Sequence, residues 1–323
     1  MSNEGTLTAE SEESGIACIF PGQGSQYAGM GRELAEAYPE ARRVFDEADS
    51  ALGFSISRLC FEGPAEELQL TENTQPAILT TSVAAFRVLE TNGLPATSFV
   101  AGHSLGEYSA LVAAGALDFA DAVRTVRARG KYMQEAVPVG TGAMAAVLGA
   151  EVSEVERVCA EASQGQVCST ANLNSPNQVV IAGNAQAIDR AMELLKGIAK
   201  RVVKLNVSAP FHCALMKPAQ ERLGVDLEKV TFSDSKIPVV TNVDAAITTI
   251  PAALKDALYR QVSAPVRWVE SMELLKKQGI GTFIEVGPGK VLSGLMRQIN
   301  RDAICLNVED AASLDATRVK LAA

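Results

Sequence analysis

The sequence predicts an α/β fold: a mostly parallel sheet covered by helices, with a small β-α-β-β-α-β unit inserted. Three observations lead there. Short apolar runs alternate with helical patterns along most of the chain. Gly102-His103-Ser104-Leu105-Gly106 joins a predicted strand to a predicted helix. Between about 141 and 207 the order of elements changes to that of the split βαβ unit. The chain thus divides into a larger unit, 15–140 and 208–323, and the insertion at 141–207.

In order, Gly15 to Phe20 reads as a buried strand that breaks at Pro21-Gly22-Gln23-Gly24-Ser25-Gln26. That loop lacks the order of a phosphate-binding loop. Helices are expected over about 30–38, 39–51 and 64–69. Thr74-Gln75-Pro76 opens another, because proline suits a first helical turn, and Ala77 to Asn92 continues it. Ser98 to Ala101 is a strand, the segment from Glu107 a buried helix, and Phe119 to Gln134 a further helix. In the insertion, Ala143 to Leu148, Val167 to Leu173, Gln178 to Ala182 and Arg201 to Val207 read as strands. Val152 to Ala162 and Ala185 to Ile198 read as helices. Ser208-Ala-Pro-Phe-His212 is a turn leading into a helix. Strands at Val239 to Asn242, Thr282 to Val286 and Ile304 to Val308 alternate with helices at Ala252 to Gln261, Val266 to Lys277 and after Gly289.

Composition narrows the function. Across 323 residues, 29 basic side chains face 38 acidic ones, and the net charge of −9 argues against nucleic acid as a partner. No apolar run reaches the roughly 18 residues of a membrane span. Met1 to Ser14 is polar and acidic, unlike a signal or transit peptide, and reads as a disordered leader. The six cysteines show no C-x-x-C spacing. No metal site or disulfide framework is therefore expected, and a reducing cytoplasm fits.

The G-x-S-x-G stretch carries the chemistry. Strand, tight turn and helix are the setting of a nucleophile elbow, with the Leu105 amide placed to meet an oxyanion. A serine needs a base, and the chain has two histidines, His103 and His212. Neighbours on a tight turn seldom face one another, so His212, on a Pro-containing loop, is the candidate base. No triad acid stands out. Asp118, Asp121, Asp189 and the glutamates between 105 and 211 fit solvent-facing helix positions or helix starts. A backbone carbonyl or an amide side chain is the alternative orienting group. Arg129 lies on a helix with Met133 on its face. It is either a solvated charge or, if turned inward, a group that needs a carboxylate partner and can grip a substrate carboxylate bidentately.

Phe20-Pro-Gly-Gln-Gly-Ser-Gln26, Thr74-Gln-Pro76, Gly102-His-Ser-Leu-Gly-Glu-Tyr108, Arg129-Gly-Lys-Tyr-Met-Gln134, Ala171-Asn-Leu-Asn-Ser-Pro176, Phe211-His-Cys-Ala-Leu-Met216 and Glu285-Val-Gly-Pro-Gly289 occur in this order. From about residue 16 to 308 the chain resembles the malonyl-CoA:acyl carrier protein transacylase family of fatty-acid synthesis. The resemblance implies an α/β-hydrolase-like core with an inserted ferredoxin-like subdomain. It implies ping-pong transfer of malonyl from malonyl-CoA to the phosphopantetheine thiol of acyl carrier protein, with no further cofactor. Ser104 would be the nucleophile and His212 the base and acid. Gln23 and Leu105 would supply oxyanion-hole amides, and the Gln261 main-chain carbonyl would orient His212. Arg129 would bind the malonyl carboxylate. Gln75, His103, Met133, Asn172 and Phe211 would line the pocket. Docking of an acidic carrier on a chain of this charge requires a local basic patch, with candidates at Lys200, Arg201 and Lys204 or at Lys290, Arg297 and Arg301. Nothing in the sequence demands more than a monomer. Three alternatives remain: a serine hydrolase of esters or thioesters, a stand-alone acyltransferase serving a polyketide synthase, and an inactive carrier-binding protein.

Overall fold

The computed structural model describes residues 15–207 and 209–322. The leader expected at Met1 to Ser14 lies outside the described residues, as does Ser208 of the predicted turn. The chain runs β1 (Gly15–Phe20), α1 (Arg32–Ala37), α2 (Pro39–Leu52), α3 (Ile56–Glu62), α4 (Ala65–Leu68), α5 (Thr71–Thr91), β2 (Phe99–Gly102), α6 (Gly106–Ala113) and α7 (Phe119–Glu135). Next come β3 (Gly142–Leu148), α8 (Val152–Ser163), β4 (Cys168–Ser175), β5 (Gln178–Asn184), α9 (Ala185–Leu194) and β6 (Arg201–Lys204). The last part is α10 (Lys217–Leu227), β7 (Val239–Thr241), β8 (Ala246–Thr248), α11 (Pro251–Gln261), α12 (Trp268–Lys277), β9 (Ile280–Val286), α13 (Val291–Ile299), β10 (Ile304–Val308) and α14 (Ala311–Leu321). Among the described residues no helix is long and apolar enough to cross a membrane.

The larger sheet has the order β10-β9-β1-β2-β7-β8. Its pairs are parallel except β7 with β8 at one edge. Parallel strands covered on both faces must be apolar throughout, and β1 shows why. Cys18 and Phe20 point to one core, against α2, α5 and α7 residues, while Ala17 and Ile19 point to the other, against Trp268 and Met272 of α12. The strand ends of this sheet converge where β1 runs into the 21–26 loop and β2 into the elbow.

The insertion forms a second sheet of order β4-β5-β3-β6, with antiparallel neighbours. Because β5 is antiparallel to both β3 and β4, those two run parallel through α8, with β5 between them. Strand β4 of the smaller sheet is stitched to the segment between α11 and α12 by a backbone seam. Leu173 N donates to Val266 O at 2.9 Å, and Val266 N to Ala171 O at 2.9 Å.

Several expectations need correcting. Thr74-Gln75-Pro76 does not open α5. The helix begins at Thr71, and Pro76 sits inside it. The Thr74 amide already bonds Leu70 O at 2.8 Å, and its hydroxyl caps Leu68 O at 2.6 Å. The proline costs one amide bond in the second turn, where packing on every side of α5 outweighs it. Strand β6 ends at Lys204 and α9 at Leu194, each short of its predicted limit. Helices α3 and α14 and edge strand β8 were not foreseen. The sequence does carry a signal for α14: Asp310 and Ser313 form a capping box at its start.

The close crossing of β1, β2 and α6 depends on glycines. A Cβ on Gly106 would lie 2.1 Å from the Phe20 carbonyl oxygen, and one on Gly102 would lie 1.9 Å from the Gly106 carbonyl. Backbone atoms cannot yield as a side-chain tip can. Gly106→Ala is expected to cost about 3 kcal/mol or more in urea denaturation. Gly294→Ala, inside α13 with nothing within 4 Å of the new Cβ, should be neutral or stabilising by up to about 1 kcal/mol.

Candidate active site

The turn after β2 holds Ser104 at φ 51°, in the left-handed region. A non-glycine residue there is strained and persists only where its surroundings fix it. Asn242, just past β7, does so. Its Oδ1 accepts from Ser104 N at 2.7 Å, and its Nδ2 donates to Gly102 O at 2.7 Å. The 21–26 loop passes directly over the turn: a Cβ on Gly22 would lie 2.4 Å from His103 O.

Ser104 Oγ lies 2.7 Å from His212 Nε2. His212 is buried and also has a left-handed backbone, φ 59°. Its Nδ1 faces the main-chain oxygen of Gln261 at 2.9 Å. A carbonyl only accepts, so Nδ1 carries the hydrogen and Nε2 presents its lone pair to the serine hydroxyl. Burial, reinforced by the Arg129 charge, pulls the His212 pKa down to about 3. The ring is therefore neutral at pH 7, the form that can take a proton.

Arg129 points inward from α7 and is 2% exposed. Nη1 donates to Gln75 Oε1 at 2.7 Å, and Nη2 to Gln261 Oε1 at 2.9 Å and Ser104 Oγ at 3.1 Å. An inward arginine was expected to need a carboxylate; its direct partners are instead two amide oxygens and a hydroxyl. The nearest acid stands one step behind them. Glu107, in the first turn of α6, accepts from Gln261 Nε2 at 2.8 Å and from Asn242 N at 3.0 Å. It sits at a helix start, one of the two settings expected for the acids between 105 and 211, and is buried there, 1% exposed. Burial pushes its carboxyl up to about 7, against the bonds from Gln261 and Asn242 and the Arg129 charge.

The other predicted residues gather at the same cavity, of about 270 Å³. Gln23 and Leu105 line it beside Ser104. Gln75 also reaches Met133, Nε2 to Sδ 3.8 Å. His103 turns away from Ser104, its Nε2 2.8 Å from Asn174 Oδ1 and its ring 5.5 Å from that of Trp268. Burial lowers its pKa too. Asn172 enters from β4, and Phe211 precedes the base. Part of the wall comes from the smaller sheet, through Met144, Ala146 and Val180, and part from α13, through Leu292 and Leu295. The residues that sequence reasoning missed are Glu107, Asn174 and Asn242. The first two fall inside quoted motifs without a role. Asn242 carries no local signal, because only the sheet order brings it to the turn.

An arginine, a serine and a neutral histidine within hydrogen-bonding reach in one cavity can hold an acidic acyl group while the serine attacks its carbonyl. Residues 17–317 match the acyl transferase domain family. The chain belongs to that family. Within it, a malonyl CoA-acyl carrier protein transacylase of Escherichia coli K12 is 54% identical over 285 residues, 88% of this chain and 92% of the relative. An acyl carrier protein S-malonyltransferase of Vibrio cholerae, solved by crystallography, superposes with a TM-score of 0.92 at 50% identity, covering 94% of this chain and 100% of that one. A malonyl-transacylase solved in complex with its type II PKS acyl-carrier protein gives 0.93 at 49% identity over 95% of this chain and 100% of that one. This acyl transferase accordingly joins a parallel-rich sheet and an antiparallel sheet in the arrangement of the malonyltransferase structures.

The neutral state of His212 sets a pH expectation. An ordinary imidazole is half protonated near pH 6.5. With its pKa lowered in the folded protein, His212 stays the proton acceptor as pH falls through that value. Labelling of Ser104 by a fluorophosphonate should thus keep most of its pH 7 rate at about pH 5, where an unperturbed histidine would retain only a few per cent. A rate that halves near 6.5 would contradict the buried, neutral assignment.

Proposed function

We propose that this acyl transferase moves the malonyl group of malonyl-CoA to the phosphopantetheine thiol of acyl carrier protein, through a malonyl ester on Ser104. The observation that carries the reading is Arg129, buried yet 3.1 Å from the same oxygen that His212 approaches. A guanidinium beside the reacting hydroxyl suits an acyl group that ends in a carboxylate.

In the first half-reaction, His212 Nε2 takes the proton of Ser104 as Oγ attacks the thioester carbon. The amides of Leu105 and Gln23 are assigned to the developing oxyanion. The C–S bond then breaks, and His212 returns its proton to the departing coenzyme A sulfur. In the second half, the carrier thiol gives its proton to His212 and attacks the ester. The ester C–O bond breaks, and Ser104 recovers the proton. Each bond broken is matched by one formed, so the reaction needs no cofactor. The Gln261 carbonyl orients His212. We assign substrate contacts to Arg129, Gln75, His103, Met133, Asn172 and Phe211.

We assign residues 15–140 and 208–323 to an α/β-hydrolase-like core, supported by the strand–turn–helix setting of Ser104 and the parallel sheet. Residues 141–207 are assigned to a ferredoxin-like subdomain, supported by the split βαβ order. A monomer in the cytoplasm, acting on no nucleic acid and no membrane, fits the acidic surface and the free thiols. A second reading keeps the chemistry and changes the carrier. It rests on the solved complex of a malonyl-transacylase with its type II PKS acyl-carrier protein.

Intact-protein mass after mixing with malonyl-CoA alone tests the proposal. One malonyl adduct, discharged when acyl carrier protein is added, is expected, and Ser104→Ala should abolish it. Coenzyme A accumulating steadily without an adduct would point to a hydrolase. Arg129→Ala should lower malonyl acylation about a hundredfold relative to acetyl acylation, because only malonyl loses a charged partner. An unchanged malonyl-to-acetyl ratio would remove the carboxylate clamp.

A further inference from the structure

Among the described residues, Glu107 is the carboxylate that bonds both Gln261 and Asn242, and the transfer chemistry above does not use it. Its carboxylate bonds neither Ser104 nor His212, and only its main-chain amide reaches Ser104 O, at 3.1 Å. Its Oε2 takes two donors, Gln261 Nε2 and the Asn242 amide, while Oε1 is buried with no partner among the described residues. The consequence lies in Gln261. A primary amide can be turned by 180° at little intrinsic cost, exchanging its oxygen and nitrogen. Here the two sides of that amide face groups of opposite character. Arg129 can only donate, so it demands the oxygen. Glu107 Oε2 takes the Asn242 amide as well, so toward Gln261 it acts as an acceptor and demands the nitrogen, whether the group is ionised or carries a proton on Oε1. The carboxylate, together with the Ser104 main-chain oxygen that the same nitrogen reaches at 3.0 Å, therefore fixes which end of Gln261 faces the guanidinium, and Gln261 Oε1 in turn holds Nη2 of Arg129 at 2.9 Å.

We propose that Glu107 is a positioning residue for Arg129, acting through the side-chain amide of Gln261, and so a determinant of preference for acyl groups that carry a carboxylate. The proposal rests on the malonyl-transfer reading and on the Arg129 clamp. The link to His212 is separate. The base is held by the main-chain oxygen of Gln261, which does not turn with the amide. Disturbing Glu107 should therefore damage carboxylate recognition more than the serine–histidine chemistry.

The decisive quantity is the ratio of kcat/KM for Ser104 acylation by malonyl-CoA and by acetyl-CoA, read by intact-protein mass. Glu107→Gln keeps the shape but replaces the carboxylate with a group that can also donate, which loosens the hold on the Gln261 nitrogen and leaves it only Ser104 O and Asn242 Oδ1. The ratio is expected to fall about tenfold, with acetyl acylation within about threefold of the parent. Glu107→Asp restores a carboxylate one methylene short and should recover part of the ratio; it also carries the test if the glutamine variant does not fold. Equal losses for both substrates in a protein that melts cooperatively would mark Glu107 as merely structural and overturn the proposal. So would a parental ratio. In an Arg129→Ala background, Glu107→Gln should leave the ratio unchanged, and a further fall would show another route. If Arg129→Ala alone leaves the ratio at the parental value, the clamp falls and the positioning role with it. If Arg129→Ala collapses the ratio while Glu107→Gln does not, only the positioning role falls.

Discussion

The geometry of the site depends on the bonds made by one residue, Gln261 at the end of α11. Its main-chain oxygen holds His212, its side-chain oxygen holds Arg129, and its side-chain nitrogen reaches Ser104 O and Glu107. A side chain with both a donor and an acceptor is the only uncharged kind that can bridge a guanidinium to a carboxylate. It does so without placing the two charges in contact. A direct Arg129–Glu107 pair would neutralise the arginine and leave little reason for a substrate carboxylate to approach it. The interposed amide keeps the charge available while satisfying Nη2, although Arg129 Nε stays buried with no partner among the described residues.

Burial then acts differently on each ionisable group. It keeps His212 neutral by making the imidazolium costly, and the Arg129 charge adds to that cost. It also raises Glu107, although two hydrogen bonds favour its charged form. Arg129 stays charged because its intrinsic pKa is far above neutrality. The pocket thus holds a fixed cation beside a proton acceptor that stays free, in a space of about 270 Å³.

Sequence periodicity and the G-x-S-x-G turn made much of this legible. The parallel core strands, the split βαβ order and the Ser104–His212 pairing follow from local patterns and from the small number of histidines. The inward turn of Arg129 did not follow from local pattern, since helix periodicity alone leaves α7 residues free to face either way. Asn242 was invisible because its importance arises from β7 lying beside β2, a pairing between distant segments. Glu107 carries no role in the sequence for a related reason. It reads as a helix start, and only the fold brings the distant Asn242 and Gln261 to it. The start of α5 was misplaced because the helix-start rule for proline was applied without the packing that carries the helix past it.

Part of the cavity wall comes from the smaller sheet, whereas Ser104, His212, Gln261 and Arg129 all come from the chain outside the inserted piece. Met144, Ala146 and Val180 belong to that sheet and reach the same space. The pocket's reactive lining and its far wall are therefore inherited from separate pieces of chain, joined at the Ala171–Leu173 and Val266 seam. Substitutions in the inserted piece can redraw the volume open to an acyl chain without disturbing a single bond of the reacting groups. Acyl-chain tolerance and chemical competence are thereby free to diverge independently in descendants of this architecture.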